Sequence, residues 1–209
     1  VGPNHETFLR ALLHNRRHTL SLDNLPQGQR LPWRNLDTLQ AQPHTVDSHL
    51  WLSPHNAILL AYRIAELRGQ QKPQYAAKYQ ENAAVFAKNL NQTVAEQHLR
   101  FAALPQRSYL AYHDAYQYLE TALGLHYRGS VHISPEQKAG VKHILALQKQ
   151  VQQQGLRCLL TEPQFDDKLA RQVLGAQGRY AMVDETFGKA QSYEEGFRQM
   201  ADAIYGCLK

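Results

Sequence analysis

Beyond residue 104 the chain alternates short apolar runs with longer segments in which apolar positions recur every three or four residues. The runs at 108–112, 125–131, 157–161 and 179–183 predict strands, and the stretches near 114–123, 135–154, 166–176 and 192–208 predict helices. This is a repeating strand-helix unit. Val141, Ile144, Leu145 and Val151 line one helix, and Tyr193, Phe197, Met200, Ile204 and Leu208 line another, as expected for helices packed on a parallel sheet. Two helix starts carry chemical marks. Ser134-Pro135-Glu136-Gln137 combines an N-cap serine, a first-turn proline and a capping-box glutamine, and Ser192 with Glu195 forms a second box.

Residues 71–103 read differently, being rich in Ala, Gln, Lys and Asn, with Tyr75, Tyr79, Ala83, Phe86, Leu90 and Val94 at helical spacing. They predict one helix of about 28 residues, roughly 42 Å long, suited to a rigid spine between two lobes. The first 70 residues predict a helix near 4–15, a strand at 18–22, a loop over 23–48, and a helix at 54–68 capped by Ser53 with Pro54 in its first turn. One strand cannot make a sheet. The expected fold is therefore α/β with two parallel-sheet lobes joined by a long helix, the first lobe incomplete in this chain: 1–70 its remnant, 71–103 the link, 104–209 a complete second lobe. The opening Val1-Gly2-Pro3 suggests a processed or truncated chain, and the unpaired strand suggests exchange of elements between two copies in an element-swapped homodimer.

Charge adds little. Lys and Arg outnumber Asp and Glu by 11 to 7 over residues 1–103 and by 12 to 11 over 104–209, so the net charge of +5 is spread thinly. No basic tract justifies a nucleic-acid partner. No run approaches the roughly 18 apolar residues of a membrane span. Cys158 and Cys207 are the only cysteines and have no metal-binding spacing. They read equally well as two buried thiols or as a disulfide closing a loop of about 50 residues.

In an open parallel sheet, ligands collect outside the carboxyl ends of the strands. The polar residues there are His113, Glu162 and Asp184. A further histidine, His49, lies in Asp47-Ser48-His49-Leu50-Trp51-Leu52-Ser53-Pro54, just before a capped helix. Imidazoles and carboxylates form a nitrogen and oxygen donor set suited to a divalent transition metal. His5, His14, His18, His55, His98, His126, His132 and His143 show no paired spacing and read as surface residues, and His44 as a solvated loop histidine.

These motifs resemble the cluster A-I (TroA-like) solute-binding proteins that feed metal ABC transporters, and within them the zinc-binding ZnuA family. The resemblance rests on Val1-Gly2-Pro3-Asn4-His5-Glu6-Thr7-Phe8, on His49-Leu50-Trp51-Leu52-Ser53-Pro54 and on Tyr112-His113-Asp114-Ala115-Tyr116-Gln117-Tyr118. It continues through Cys158 to Glu162-Pro163-Gln164-Phe165, Val183-Asp184, and Ser192-Tyr193 to Tyr205-Gly206-Cys207-Leu208. It implies that His49 and His113 are zinc ligands, that Asp184 holds the fourth position, and that Glu162 is a carboxylate lining the cleft. It also implies a disulfide between Cys158 and Cys207, a first histidine ligand upstream of residue 1, a periplasmic location, and a membrane permease of a zinc ABC transporter as partner. The acidic, histidine-rich loop of many zinc members would fall at 24–48, where this chain holds only His44 and no acidic run.

The expected role is zinc binding without catalysis. A manganese binder of the same family is the nearest alternative, but its relatives carry a carboxylate where this chain has His113, and imidazole favours zinc over the harder manganese ion. A His/His/Asp metalloenzyme would need a positioned base and a substrate pocket, for which no motif is present. An adhesin on the same fold is a third alternative, to be marked by metal-independent binding to a host surface protein.

Overall fold

The computed structural model describes Leu13 and residues 19–132, 140–166 and 168–209. The expected helix near 4–15, the 1–8 motif, the capping box at 134–137, and His5, His14 and His18 lie outside the described residues. Four strands, β1 Ser108–Ala111, β2 His126–Ser130, β3 Cys158–Thr161 and β4 Arg179–Met182, form one sheet in the order β2-β1-β3-β4, with every pairing parallel. Six α-helices are described: α1 Pro54–Gln71, α2 Ala76–Ala102, α3 Gln117–Leu123, α4 Val141–Gln154, α5 Lys168–Leu174 and α6 Tyr193–Leu208. None is long and apolar enough to cross a membrane.

Alternation along the strands assigns each side chain to a face. Tyr109, Ala111, Tyr127, Cys158, Leu160 and Ala181 point to a core completed by α3 and α6. Leu110 and Leu159 point to the opposite core, where Ile144 and Leu147 of α4 meet Ala170, Val173 and Leu174 of α5. The sheet is thus buried on both sides, which is why its strands read as apolar runs rather than as alternating patterns.

The first half of the chain is folded against this lobe. Leu50 and Leu52 are fully buried in the core shared with α3 and α6, and Leu22, Leu31, Leu39 and Val46 pack around it. Two expectations need correction. Residues 19–21 form no strand and lead into a 3-10 turn at Leu22–Asn24, because Ser21 Oγ accepts a hydrogen bond from the Asp23 amide (3.3 Å) and no strand among the described residues offers them a ladder. The long helix begins at Ala76 and not at 71: α1 runs on to Gln71, and a separate 3-10 turn, Pro73–Tyr75, follows. At 27 residues α2 is still about 40 Å long. It buries Ala83, Ala87, Leu90, Thr93, Gln97 and Phe101 against α1, α3 and α6. His132 is also corrected: it is buried, stacked on Tyr112 at 4.6 Å.

The cysteines are joined. Cys158 at the start of β3 and Cys207 near the end of α6 form a disulfide, with Cα atoms 5.3 Å apart and a sequence separation of 49. Replacing both with serine should lower the unfolding free energy by about 2–4 kcal/mol in a denaturant titration, and an unchanged midpoint would contradict this.

A second constraint lies at Gly196, in the interior of α6, where glycine ordinarily weakens a helix. A Cβ there would sit 2.5 Å from Phe187 Cγ and 2.9 Å from Phe187 Cβ, so the missing side chain admits the turn that follows β4. Phe187 itself has φ +55° and meets the Tyr193 ring edge-on at 5.2 Å. Gly196→Ala should therefore destabilise by about 1–3 kcal/mol, despite the better helix propensity of alanine. A rise in melting temperature would show that the contact is dispensable.

Candidate metal centre

His49 is placed by a short relay of local bonds. Asp47 Oδ1 accepts from the His49 amide (3.0 Å) and lies 2.6 Å from its Nδ1. The next residues, Leu50–Leu52, make a 3-10 turn, and Ser53 Oγ caps α1 by accepting from the Asn56 amide at 3.3 Å. Asn56 Nδ2 in turn donates to Leu50 O, closing the unit. Donation of Nδ1–H to the Asp47 carboxylate would be the tautomer that leaves Nε2 free to accept a metal.

His113 follows β1, held by the Tyr112 amide on Leu160 O (2.8 Å) and by the His132 amide on Tyr112 O (2.8 Å). The order β2-β1-β3-β4 puts the switch point of the sheet between β1 and β3, so His113 and Glu162 emerge side by side at their carboxyl ends. His113 Nδ1 lies 2.6 Å from Glu162 Oε1, which also accepts from Tyr116 Oη at 3.2 Å. Burial depresses the pKa of the His113 imidazole, but the bond and charge of Glu162 outweigh it, leaving the pKa above the ordinary value.

The two Nε2 atoms face each other at 3.3 Å. Their rings are 92–95% buried and boxed by aromatic side chains: Trp33 and Trp51 against His49 at 5.7 and 5.4 Å, and Phe165 against His113 at 6.2 Å. Two nitrogens bound to one tetrahedral zinc at 2.0–2.1 Å are about 3.3–3.4 Å apart. The pair already has that separation.

The carboxylates after β4 divide. Asp184 is half-buried and spends both oxygens on its own turn, Oδ1 accepting from the Thr186 amide (3.1 Å) and hydroxyl (2.6 Å), and Oδ2 from the Gly188 amide (3.0 Å). Its neighbour Glu185, which the strand-end reading passes over by one residue, is 6% exposed and joins the histidine side. Gln164 Nε2 donates both to Glu185 Oε1 (2.8 Å) and to Glu162 Oε2 (3.0 Å). Glu185 Oε2 has no hydrogen-bond partner among the described residues. Burial, and then the charge of Glu162, raise its pKa. Trp51 ties this turn to the His49 motif, its Nε1 donating to Glu185 O at 2.7 Å and its own carbonyl accepting from Tyr193 Oη at 2.8 Å. Among the described residues no group of three or more histidine, cysteine or acidic side chains is assembled around one ion position.

Residues 1–207 match the family model described as ZnuA, zinc-uptake complex component A periplasmic. The chain is 30% identical over 167 residues to the high-affinity zinc uptake system protein ZnuA of Brucella abortus, an alignment covering 78% of this chain and 50% of that protein. It is 32% identical over 167 residues to its Haemophilus ducreyi counterpart, covering 78% and 54%. The chain therefore spans about half the length of the curated relatives it matches. In fold it is similar to the crystal structure of ZnuA, with a TM-score of 0.80 at 19% identity over 99% of this chain and 77% of that one. A motif order and a sheet topology that agree with a family match over nearly its whole length make this chain a member of the ZnuA family.

Proposed function

We propose that this chain is the zinc-holding part of a periplasmic carrier that captures Zn²⁺ and delivers it to an ABC-type importer, without catalysing a reaction. The observation that supports it most directly is the 3.3 Å separation of His49 Nε2 and His113 Nε2, with each opposite ring nitrogen 2.6 Å from a carboxylate. Two oriented neutral imidazoles suit zinc better than manganese. Glu185, bonded to the same Gln164 as Glu162 and with Oε2 unpartnered among the described residues, is the oxygen donor of this reading. Asp184, engaged in its turn, shapes the backbone that carries Glu185. The remaining donor in this reading is the histidine that the family resemblance places upstream of Val1.

Calorimetric titration with Zn²⁺ and Mn²⁺ tests the reading, with zinc expected to bind the tighter. His49→Ala and His113→Ala should each weaken zinc by more than about 100-fold, since each removes a direct donor where outer-shell changes alone cost about 10–100-fold. Native-like zinc affinity in His113→Ala would end this assignment. Glu185→Gln should cost about tenfold or more and Asp184→Ala less, and the reverse order would return the fourth position to Asp184.

A further inference from the structure

The 23–48 segment has no long regular element, yet it is fastened. The Gln42 amide donates to Trp33 O and the Asp47 amide to Leu31 O, both at 2.7 Å, with a single antiparallel bridge between Arg34 and Ala41. Its underside rests on α3. Tyr118 Oη accepts from the Leu31 amide and donates to Asp47 O, both at 3.0 Å, and Gln117 Nε2 reaches Asp47 Oδ2 (2.9 Å) and Pro32 O (3.1 Å).

Arg34 adds a cationic anchor to these contacts. Its Nε donates to Asp114 Oδ2 (2.9 Å) and its Nη2 to Asp114 Oδ1, while Nη1 and Nη2 reach Glu120 Oε2 and Oε1, each at 2.8 Å. The guanidinium also lies 4.0 Å from the Tyr127 ring centroid, and Tyr109 Oη donates to Glu120 Oε1 at 2.8 Å. A buried and a partly buried carboxylate thus share one planar cation, an arrangement that lysine cannot reproduce. The place of this cluster in the chain gives it meaning: Arg34 follows Trp33, whose ring abuts His49, and Asp114 follows His113.

We propose that Arg34 is a positioning residue of the metal centre: its ion pairs clamp the 23–48 segment onto the sheet lobe, holding Trp33, Asp47 and hence His49 in register with His113, and so limit the rate at which bound zinc escapes. The proposal rests on the reading of this pair as a zinc site, and it makes a statement about the metal-free protein as well. Residues two shells from an ion act by restricting the donors, so dissociation responds more than folding does.

The test uses Arg34→Lys, which keeps the charge and loses the fork, and a triple variant, Arg34→Met with Asp114→Asn and Glu120→Gln, which leaves no unpaired buried charge. Zinc transfer to an excess of chelator should be faster by about tenfold in both, and amide exchange at Asp47 and His49 should accelerate in the metal-free proteins. Arg100→Met serves as the structural comparison, because Arg100 pairs with Asp202 and stacks on Tyr205 far from the histidines; it should leave zinc release unaltered. Folded Arg34 variants that release zinc within about twofold of the native rate would overturn the clamp. Should the native chain take up no zinc, the metal reading fails and the exchange measurement decides alone: unchanged protection at Asp47 and His49 refutes the clamp, and faster exchange upholds it.

Discussion

Everything at the candidate metal centre depends on two carboxylate–imidazole contacts, Asp47 with His49 and Glu162 with His113, each 2.6 Å long and each buried. A ring nitrogen held against a carboxylate restrains the orientation of its imidazole and favours the tautomer with the proton on that side. Both lone pairs are therefore committed to the same point. The cost is a pair of nitrogen acceptors facing each other in a poorly solvated box, which a cation relieves. Preorganisation of this kind reduces the ordering that binding must supply.

The surrounding fold serves these contacts in layers. Parallel topology brings His113 and Glu162 to the switch point, and α3 presents Gln117, Tyr118 and Glu120 to the segment that carries Asp47. Gly196 makes room for Phe187, and the turn so formed delivers Glu185 beside Gln164. The His49 motif and the Glu185 turn are joined directly through the Trp51 indole. Each link is short-range and polar, while the two apolar cores on either face of the sheet keep the links in place.

Much of this was legible in the residues, for physical reasons. Strands buried on both faces and helices with apolar stripes leave recognisable periods, so the four strands and the helices that follow them lie close to where the pattern puts them; the exception in detail is the helix after β2, which starts at Val141 and leaves Val141 and Leu145 exposed instead of packing them on the sheet. The placement of His113 beside Glu162 was legible because topology sends strand ends to one edge. The exceptions share a cause. A strand at 18–22, the surface placement of His132 and the passing over of Glu185 all turn on tertiary partners such as the Tyr112 ring or Gln164, which leave no trace in local spacing. The anchoring of the 23–48 segment was equally hidden, because a single arginine among polar residues has no period. The signal for Glu185 is its place directly after Asp184: in extended chain two consecutive side chains face opposite ways, and here Glu185 is buried while Asp184 turns to its own loop.

The disulfide has a further consequence for the order of events in the life of this protein. Reduced, Cys158 and Cys207 would be two adjacent thiols, and thiolate is a better ligand for zinc than any donor in the histidine pocket. Cys158 also begins the strand that ends beside Glu162, so a metal captured by sulfur would pull on the same strand that orients His113. Oxidation removes the rival ligands and braces that strand in one step. If the histidine pair holds zinc as proposed, the order matters: a disulfide closed first leaves that pair without sulfur competition, and a chain met by zinc while reduced would divide the ion between two places.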